Sequence, residues 1–577
     1  MTPAFAEVAG LTLRHIGRRE PALRELDLRW EEGERLLLLG PSGSGKSTLA
    51  LCLNGVIPHA LDAHWEAGTV RVAGADTRTT PLGTLTDQVG VLFQDPETQL
   101  VMLEVDDEIA FGLENHAVPR AEMRRRIAAV RALMGLTGDR VPERIAALSG
   151  GTKQRLTIAS LLALAPPGLV LDEPTANLDP QSARSVAGAI ADLCRDRSRS
   201  LLLIEHQIDQ VLAHVDRVAV LNDQGSLALE GSVDQVFGAD LGRLDALGVW
   251  IPELTTLVRL LGSPAVPRTT AEAARLIAAG WPADQRHLAA PTSPTGAASV
   301  VGRPILEARA VGYRYSGAAS DALSDATLSV APGEFVALVG ANGAGKSTLG
   351  LLLAGALRPA HGSIALDGSD LRTVGERVVR ARIAYVFQYP EHQFIAQTVQ
   401  GEIEAGLRKH GVRSADPTRR VNDALERAGL ARLAAASPHA LSHGQKRRLS
   451  VATALIMEPD VLILDEPTFG QDRRHADRLL ATLDDLHRDG QTIIVITHDL
   501  GIVADHATRA VALAAGRIAF DGSPAALFAN AVAADTLLAR CGLALPPVAE
   551  AFRIAQHERP DLPGVFGLRD AARALVR

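Results

Sequence analysis

The sequence predicts an α/β protein in which one parallel-sheet unit is built twice. Three observations carry that expectation. The first is repetition. GPSGSGKST from Gly40 returns as GANGAGKST from Gly340, FQDPETQ from Phe93 as FQYPEHQ from Phe387, and LSGGTKQR from Leu148 as LSHGQKRR from Leu441. LDEPT starts at Leu171 and again at Leu464, and an apolar run is closed by His206 and again by His498. The order is kept and the separation stays between 292 and 300 residues, as in a duplicated unit with small insertions. The second is the pattern of short apolar runs. Arg35 to Gly40, Leu169 to Asp172 and Leu201 to Ile204 have counterparts at Phe335 to Gly340, Val461 to Asp465 and Ile493 to Ile496. Such runs, bounded by turns and followed by helical patterns, suit strands buried on both faces of a parallel sheet. The third is placement: the polar motifs stand at the carboxyl ends of these runs, where an open parallel sheet gathers its ligand.

The chain has 577 residues, 47% of them apolar but only 3% aromatic, so its cores are aliphatic. That length exceeds what one core supports and implies two to four domains. A net charge of -8 lacks the basic footprint of a nucleic-acid binder, and no nucleic-acid partner is expected. Cys52, Cys194 and Cys541 are far apart, which argues against a disulfide framework or a zinc site. The opening MTPAFAEVAG does not read as a secretory leader, and no run of 18 apolar residues is found. Any membrane-spanning parts are expected on other polypeptides. The repeat extends to Gly248-Val-Trp-Ile-Pro252 and Gly542-Leu-Ala-Leu-Pro546, each after an Ala- and Leu-rich helical stretch. Ala290 to Gly302 reads as a flexible linker. The expected division is 1–235 and 303–530 for the main domains, 236–302 for a helical appendage and linker, and 531–577 for a C-terminal helical appendage.

The glycine-rich loops match G-x-x-x-x-G-K-[ST] in full. Gly40, Ser42, Gly43, Ser44, Gly45, Lys46, Ser47 and Thr48 form one; Gly340, Asn342, Gly343, Ala344, Gly345, Lys346, Ser347 and Thr348 form the other. Glycines let backbone N–H groups point at phosphate oxygens, and the following helix adds its positive end. Lys46 and Lys346 supply a point charge for the β- and γ-phosphates, and Ser47 and Ser347 can ligate Mg²⁺. Asp172 and Asp465, at strand ends, can orient the water shell of that ion. Glu173 and Glu466 follow and are the candidates to polarise the attacking water. Gln94 and Gln388 can reach both the ion and the water and report nucleotide to a neighbouring surface. His206 and His498 can hydrogen-bond the γ-phosphate.

Taken together with the LSGGTKQR and LSHGQKRR segments, these residues resemble the ATP-binding-cassette (ABC) ATPases over roughly residues 5–235 and 303–530. The resemblance implies two tandem phosphate-loop domains, each a mainly parallel sheet flanked by helices, with an antiparallel β subdomain and a helical signature subdomain. It implies ATP and Mg²⁺ as cofactors and ATP hydrolysis as the activity. It also implies head-to-tail pairing of the cassettes, for which the linker length favours partners within one chain. One site would then join Lys46, Asp172, Glu173 and His206 to Ser442, Gly444 and Gln445. The other would join Lys346, Asp465, Glu466 and His498 to Ser149, Gly150 and Gly151. Asp179 and Asp472 match the family's loop that crosses the pair. Tyr315 matches its adenine-stacking aromatic, with His15 as the first-unit counterpart. His443 stands where Gly150 stands in the first unit, and Thr152 where Gln445 stands in the second. These departures imply that the two sites turn over unequally, the one using the first loop being crowded.

Within the family, Gln94-Asp-Pro-Glu-Thr-Gln99, Gln388-Tyr-Pro-Glu-His-Gln393 and Val105-Asp-Asp-Glu-Ile-Ala-Phe-Gly are similar to the energy-coupling-factor (ECF) ATPases. Thr468-Phe-Gly-Gln-Asp472 resembles double-cassette members proposed to import thiamine or its precursor hydroxymethylpyrimidine. That likeness implies uptake of a vitamin, a vitamin precursor or a transition-metal ion. Its partners would be an integral-membrane scaffold (T-type) subunit and a membrane substrate-binding (S-type) subunit, with the chain peripheral to the cytoplasmic face of the cell membrane. The alternatives are an ATPase of another ABC importer or exporter and a soluble translation factor of the ABC-F type. The latter typically carries a long charged arm where residues 236–302 have few charges and several prolines.

Overall fold

A computed structural model of the chain describes residues 4–576 apart from 94–97, 139–140, 149, 176–177, 179, 194, 196, 206–207, 240, 283–302, 319, 411–415 and 530–536; of 180–181, 193, 239, 392, 408–410, 443 and 576 it describes the backbone alone. Gln94, Ser149, Asp179 and His206, and the expected linker Ala290 to Gly302, therefore lie outside the described residues. The chain divides into two compact units, Met1–Leu276 and Ile277–Arg577.

In the first unit a six-stranded sheet runs Leu227–Ser232, Arg217–Leu221, Arg35–Leu39, Ser200–Ile204, Gly168–Asp172, Val89–Leu92. All neighbours are parallel except the edge pair Arg217–Leu221 and Leu227–Ser232. The second unit repeats the order with Arg517–Gly522, Arg509–Ala514, Phe335–Val339, Thr492–Ile496, Val461–Asp465, Ile383–Val386, again antiparallel only at the Arg517–Gly522 edge.

The continuous apolar runs are explained by what covers each face. Leu36 and Leu38 face Leu11, Leu26, Trp30 and the loop-following helix residues Leu49 and Leu53. Leu37 and Leu39 face the other way, into a cluster with Ile158, Leu162, Val186 and Ile190. Val336 and Leu338 split from Phe335, Ala337 and Val339 in the same manner. Side chains alternate across a strand, so a strand covered on both sides must be apolar at every position. The first face is covered in each unit by a four-stranded antiparallel sheet: Leu23–Glu31, Ala4–His15, Ala63–Val72, Ala75–Asp76, and Leu323–Val330, Leu306–Tyr313, His361–Leu366, Ser369–Asp370.

The signature segments open helices Gly150–Leu164 and His443–Leu455. In the second unit His443–Leu455 shares an apolar cluster with Val399–His410 and Pro417–Arg427, through Val399, Ile403, Leu407, Val421, Leu425 and Leu449. Val105–Asn115 and Arg120–Leu133 contribute Ile109, Leu113 and Val130 to the matching packing in the first.

Each unit ends in further helices held by a buried carboxylate from the segment after the His-bearing loop. Asp209 accepts the backbone N–H groups of Glu253 and Leu254 at 2.9 and 3.3 Å, at the start of Glu253–Leu260. Asp505 accepts that of Arg569 at 3.1 Å, in the first turn of Leu568–Val576. Burial pushes both carboxyls up to about 6 from an ordinary 3.8. A carboxyl that holds its proton more tightly folded than unfolded stabilises below about pH 4, and this contribution is lost as pH rises to about 6. Asp505→Asn keeps an acceptor and removes the charge. It is expected to gain on the parent between pH 4 and 6 and to stay ahead at pH 7 by at most about 3 kcal/mol, read from urea midpoints at both pH values.

Candidate functional site

At the carboxyl end of each central strand the glycine-rich loop turns into a helix, Lys46–Leu53 or Lys346–Leu353. The turn is made by Gly45 at φ 88° and Gly345 at φ 99°, a conformation that L side chains rarely adopt. A Cβ there would stand 2.4 Å from the Ala22 carbonyl oxygen, or 2.5 Å from that of Ala322. Lys46 Nζ donates to the carbonyls of Gly40 and Pro41 at 2.8 and 3.0 Å; Lys346 Nζ donates to Gly340 and Ala341 at 2.8 and 2.9 Å. Both lysines are thus drawn over the mouth of their own loop.

The neighbouring strand ends bring the acids to the same place. Asp172 pairs in register with Ile204, and Asp465 with Ile496. The next residues, Glu173 and Glu466, are left-handed at φ 52° and 46°, and each donates its N–H to the same partner strand, to Ile204 O and Ile496 O, at 2.9 Å. A non-glycine residue in this region is strained and persists where its surroundings hold it. The coincidence in both units is what a precisely aimed carboxylate requires. Glu466 Oε1 is 2.8 Å from His498 Nδ1, and Thr497 Oγ1 donates to Oε2 at 3.4 Å. Burial alone would raise the Glu466 carboxyl, but His498, Lys346 and Arg447 hold it below the usual range. The Glu466 charge in turn raises His498.

Asp465 tests whether a cation fits. Its Oδ2 accepts the Tyr385 hydroxyl at 2.8 Å, whereas Oδ1 is buried without a hydrogen-bond partner, with Ser347 as neighbour. Burial pushes this carboxyl up against the effect of Ser347 and Tyr385. A buried carboxylate oxygen left unsatisfied beside a hydroxyl is the donor set a hard dication takes. In the first unit Asp172, Glu173 and Lys46 are likewise buried.

The remaining sequence candidates fall as follows. Tyr315, 44% exposed, has its hydroxyl 3.2 Å from Thr348 Oγ1, and His15 Nε2 lies 3.0 Å from Thr48 Oγ1. The two aligned residues therefore make the same contact with different ring chemistry. Ser442 caps its helix by accepting from Gln445 N–H at 3.4 Å, while Gln445 Oε1 accepts from Ser442 N–H at 3.0 Å. The Gln445 side chain is thereby engaged within its own helix start. Gly150, Gly151 and Gly444 lie in the first turns of the two helices; a Cβ at Gly150 or Gly444 would meet nothing within 4 Å. Asp472 caps Arg473–Arg488 and binds His475 Nδ1 at 2.6 Å. Gln388 is half-buried, directly after Phe387.

Comparison with known proteins bears on both units. The family described as "ABC transporter" matches residues 23–176 and 323–469. These spans hold both glycine-rich loops and both LDEPT segments. The chain belongs to the ABC transporter ATPase family. Over 96% of this ABC ATPase and 97% of the relative, it is 38% identical to the Bacillus subtilis (strain 168) protein YkoD, described as an HMP/thiamine import ATP-binding protein. It is 34% identical, over 98% of its own length and 96% of the relative's, to an ABC transporter ATP-binding protein of Methanosarcina mazei. Among solved structures, cbiO1 of Clostridium perfringens, part of the ABC transporter complex cbiONQ, covers 40% of the chain and 92% of its own, at 34% identity and a TM-score of 0.36.

The ABC ATPase also uses residues that sequence reasoning missed. Glu108 and Glu402 reach back to shape the segment after each Gln: Glu108 Oε2 accepts from Val101 and Met102 N–H at 2.9 and 2.7 Å, Glu402 Oε2 from Ile395 and Ala396 N–H at 2.9 and 2.7 Å. Glu108 lies inside the Val105-Asp-Asp-Glu segment, so its motif was visible and its task was not. Gln99 closes the same loop, bonding Phe93 N–H at 2.8 Å and Val91 O at 2.9 Å. Glu205, just before His206, accepts from Thr175 N–H at 3.0 Å; its second-unit counterpart is Thr497, which bonds Glu466 instead.

Proposed function

We propose that this ABC ATPase energises uptake of a micronutrient through an ECF-type transporter, peripheral to the cytoplasmic face of the membrane. Its cargo would be a vitamin, vitamin precursor or transition-metal ion, with the class named for the B. subtilis relative as the first to examine. The observation that carries the reading is the near full-length likeness, both cassettes and appendages included, to a protein described as an HMP/thiamine import ATP-binding protein. No helix among the described residues is long and apolar enough to cross a membrane, which accords with membrane-spanning T-type and S-type partners on other chains. A groove of about 730 Å³ in the second unit, lined by apolar residues such as Leu357, Val379 and Ile395 together with Arg358, Asp370 and Arg372, reaches Phe387 beside Gln388 and would suit an amphipathic helix of such a partner. We assign residues 1–235 and 303–530 to the two cassettes and 236–302 and 531–577 to appendages.

In this reading the loop amides and Lys46 or Lys346 bind and orient the ATP phosphates. Ser347, Asp465 and Gln388, with Ser47, Asp172 and Gln94 in the first unit, would hold Mg²⁺, which supplies charge neutralisation on the phosphates. Glu173 and Glu466 accept the proton of the attacking water, His498 holds the Glu466 carboxylate, and His206 and His498 would contact the γ-phosphate. Head-to-tail pairing would complete each site with the other cassette's Ser149 or Ser442 and the glycines beside it, and Asp179 and Asp472 would line the crossing. His443 and His15 would make the site built on Lys46 the slower one. The test is purification of the tagged full chain from its own cells. Two co-purifying integral-membrane proteins and ATP-dependent uptake of a labelled micronutrient are expected. Co-sedimentation with ribosomes and no membrane partner would contradict the reading.

A further inference from the structure

Arg447 is a cation with no exposed surface. It lies in the second turn of His443–Leu455, the helix opened by the signature segment. Its Nε donates to Pro467 O at 3.1 Å and its Nη2 to Asp465 O at 2.6 Å. Further bonds run from Nη2 to Glu466 O and from Nη1 to Phe387 O. One guanidinium therefore grips three consecutive carbonyls of the turn that carries Glu466, and the carbonyl of the peptide bond that begins Gln388. Arginine's fixed fork of donors suits such a set, and a lysine can serve only part of it.

Burying a charge is costly unless every donor is used, so a guanidinium is a poor choice for filling space. The first unit shows the alternative. Gln154 occupies the equivalent position, equally buried, but its Nε2 reaches only Pro174 O at 3.4 Å and its Oε1 has no hydrogen-bond partner. Tyr385, which bonds Asp465, is likewise replaced by Val91. The signature helix of the second unit thus grips the turn of its acids through three carbonyls, whereas Gln154 reaches the corresponding turn of the first unit through Pro174 O.

We infer that Arg447 is a positioning residue: it locks the second unit's signature helix to the left-handed turn of Glu466 and to the start of Gln388, so that these three move as one body. The consequence is specific to this half. A displacement of the helical subdomain, or of the groove beside Gln388, is transmitted rigidly to the Glu466 carboxylate, whereas Gln154 leaves slack in the first unit. The inference rests on the reading of Glu466 as the group that takes the water's proton.

The test compares steady-state ATP hydrolysis by the full-length chain, its E466Q variant, and R447Q and R447K. R447Q copies the first unit; R447K keeps the charge and loses the fork. R447Q is expected to lose most of the kcat that E466Q loses, with KM for ATP within twofold of the parent, and R447K to fall between R447Q and the parent, recovering part of that loss but not all of it. A merely space-filling arginine would give no such split between kcat and KM and no rescue by lysine. Fluorescent-nucleotide binding and thermal melting report whether each variant is folded; should R447Q not fold, R447K alone decides, since parental kcat in R447K overturns the inference. Parental kcat in R447Q, with E466Q impaired, overturns it as well. Parental kcat in E466Q overturns the underlying reading of Glu466 instead.

Discussion

Replacing Glu466 by Gln should slow ATP hydrolysis by the chain about 100-fold while leaving ATP binding intact. A positioned general base contributes roughly 10²–10⁴-fold, and the amide keeps the shape of the side chain but cannot take a proton. Glu466 is buried, pinned in a left-handed turn and bonded to His498 at 2.8 Å. The amide can keep a hydrogen bond to the ring, so the fold around it is expected to survive. Glu173→Gln should cost less on the proposed head-to-tail pairing, which would set His443 against the Lys46 loop and Gly150 against the Lys346 loop, while His15 stands where the second unit has Tyr315. Initial-rate assays at saturating ATP, with equilibrium binding measured alongside, check both statements. Equal losses in the two variants would remove the asymmetry.

Gly345→Ala is the second large effect. The methyl group would lie 2.5 Å from Ala322 O and 2.8 Å from Leu323 Cδ2, on a backbone at φ 99°. No rotamer relieves a Cβ clash with a carbonyl, so the loop–helix junction itself has to shift. That junction aims the Lys346 and Ser347 amides, and phosphate binding at a helix start depends on those donors. ATP affinity at this site is expected to fall at least about 100-fold, since strain of this kind costs of order 1–3 kcal/mol and the lost amide contacts add to it. Gly317→Ala, at φ 79° with nothing within 4 Å of the added carbon, is the matched control and should bind normally. Titration with a fluorescent ATP analogue distinguishes the two.

Much of this was legible because it is local. The glycine-rich loops, the apolar strands and the acids at their ends each need particular residues within a few positions, and the duplication displayed every one of them twice. The strand runs were readable as doubly covered because Leu36 to Leu39 leave no polar face. What stayed hidden is tertiary. Arg447 is one more basic residue of a charged helix start until its carbonyl partners, 18 to 60 positions away, are known. The task of Glu108 and Glu402 shows only in the fold, which turns them toward the backbone of the preceding loop. Asp209 and Asp505 stand in no motif, and each caps a helix 44 or 64 positions ahead. Gln445 matched a ligand-contact position, and the structure engages it in the cap of its own helix. In each case the residue type was ordinary and the meaning lay in a partner far along the chain.

The decisive measurement is made on the E173Q/E466Q double variant loaded with ATP labelled at the γ-phosphate. Stable retention of uncleaved ATP on the protein, with phosphate release below about 1% of the parental rate, is the result expected if these carboxylates take the water's proton in the two glycine-loop sites. Release of labelled phosphate at the parental rate would contradict it.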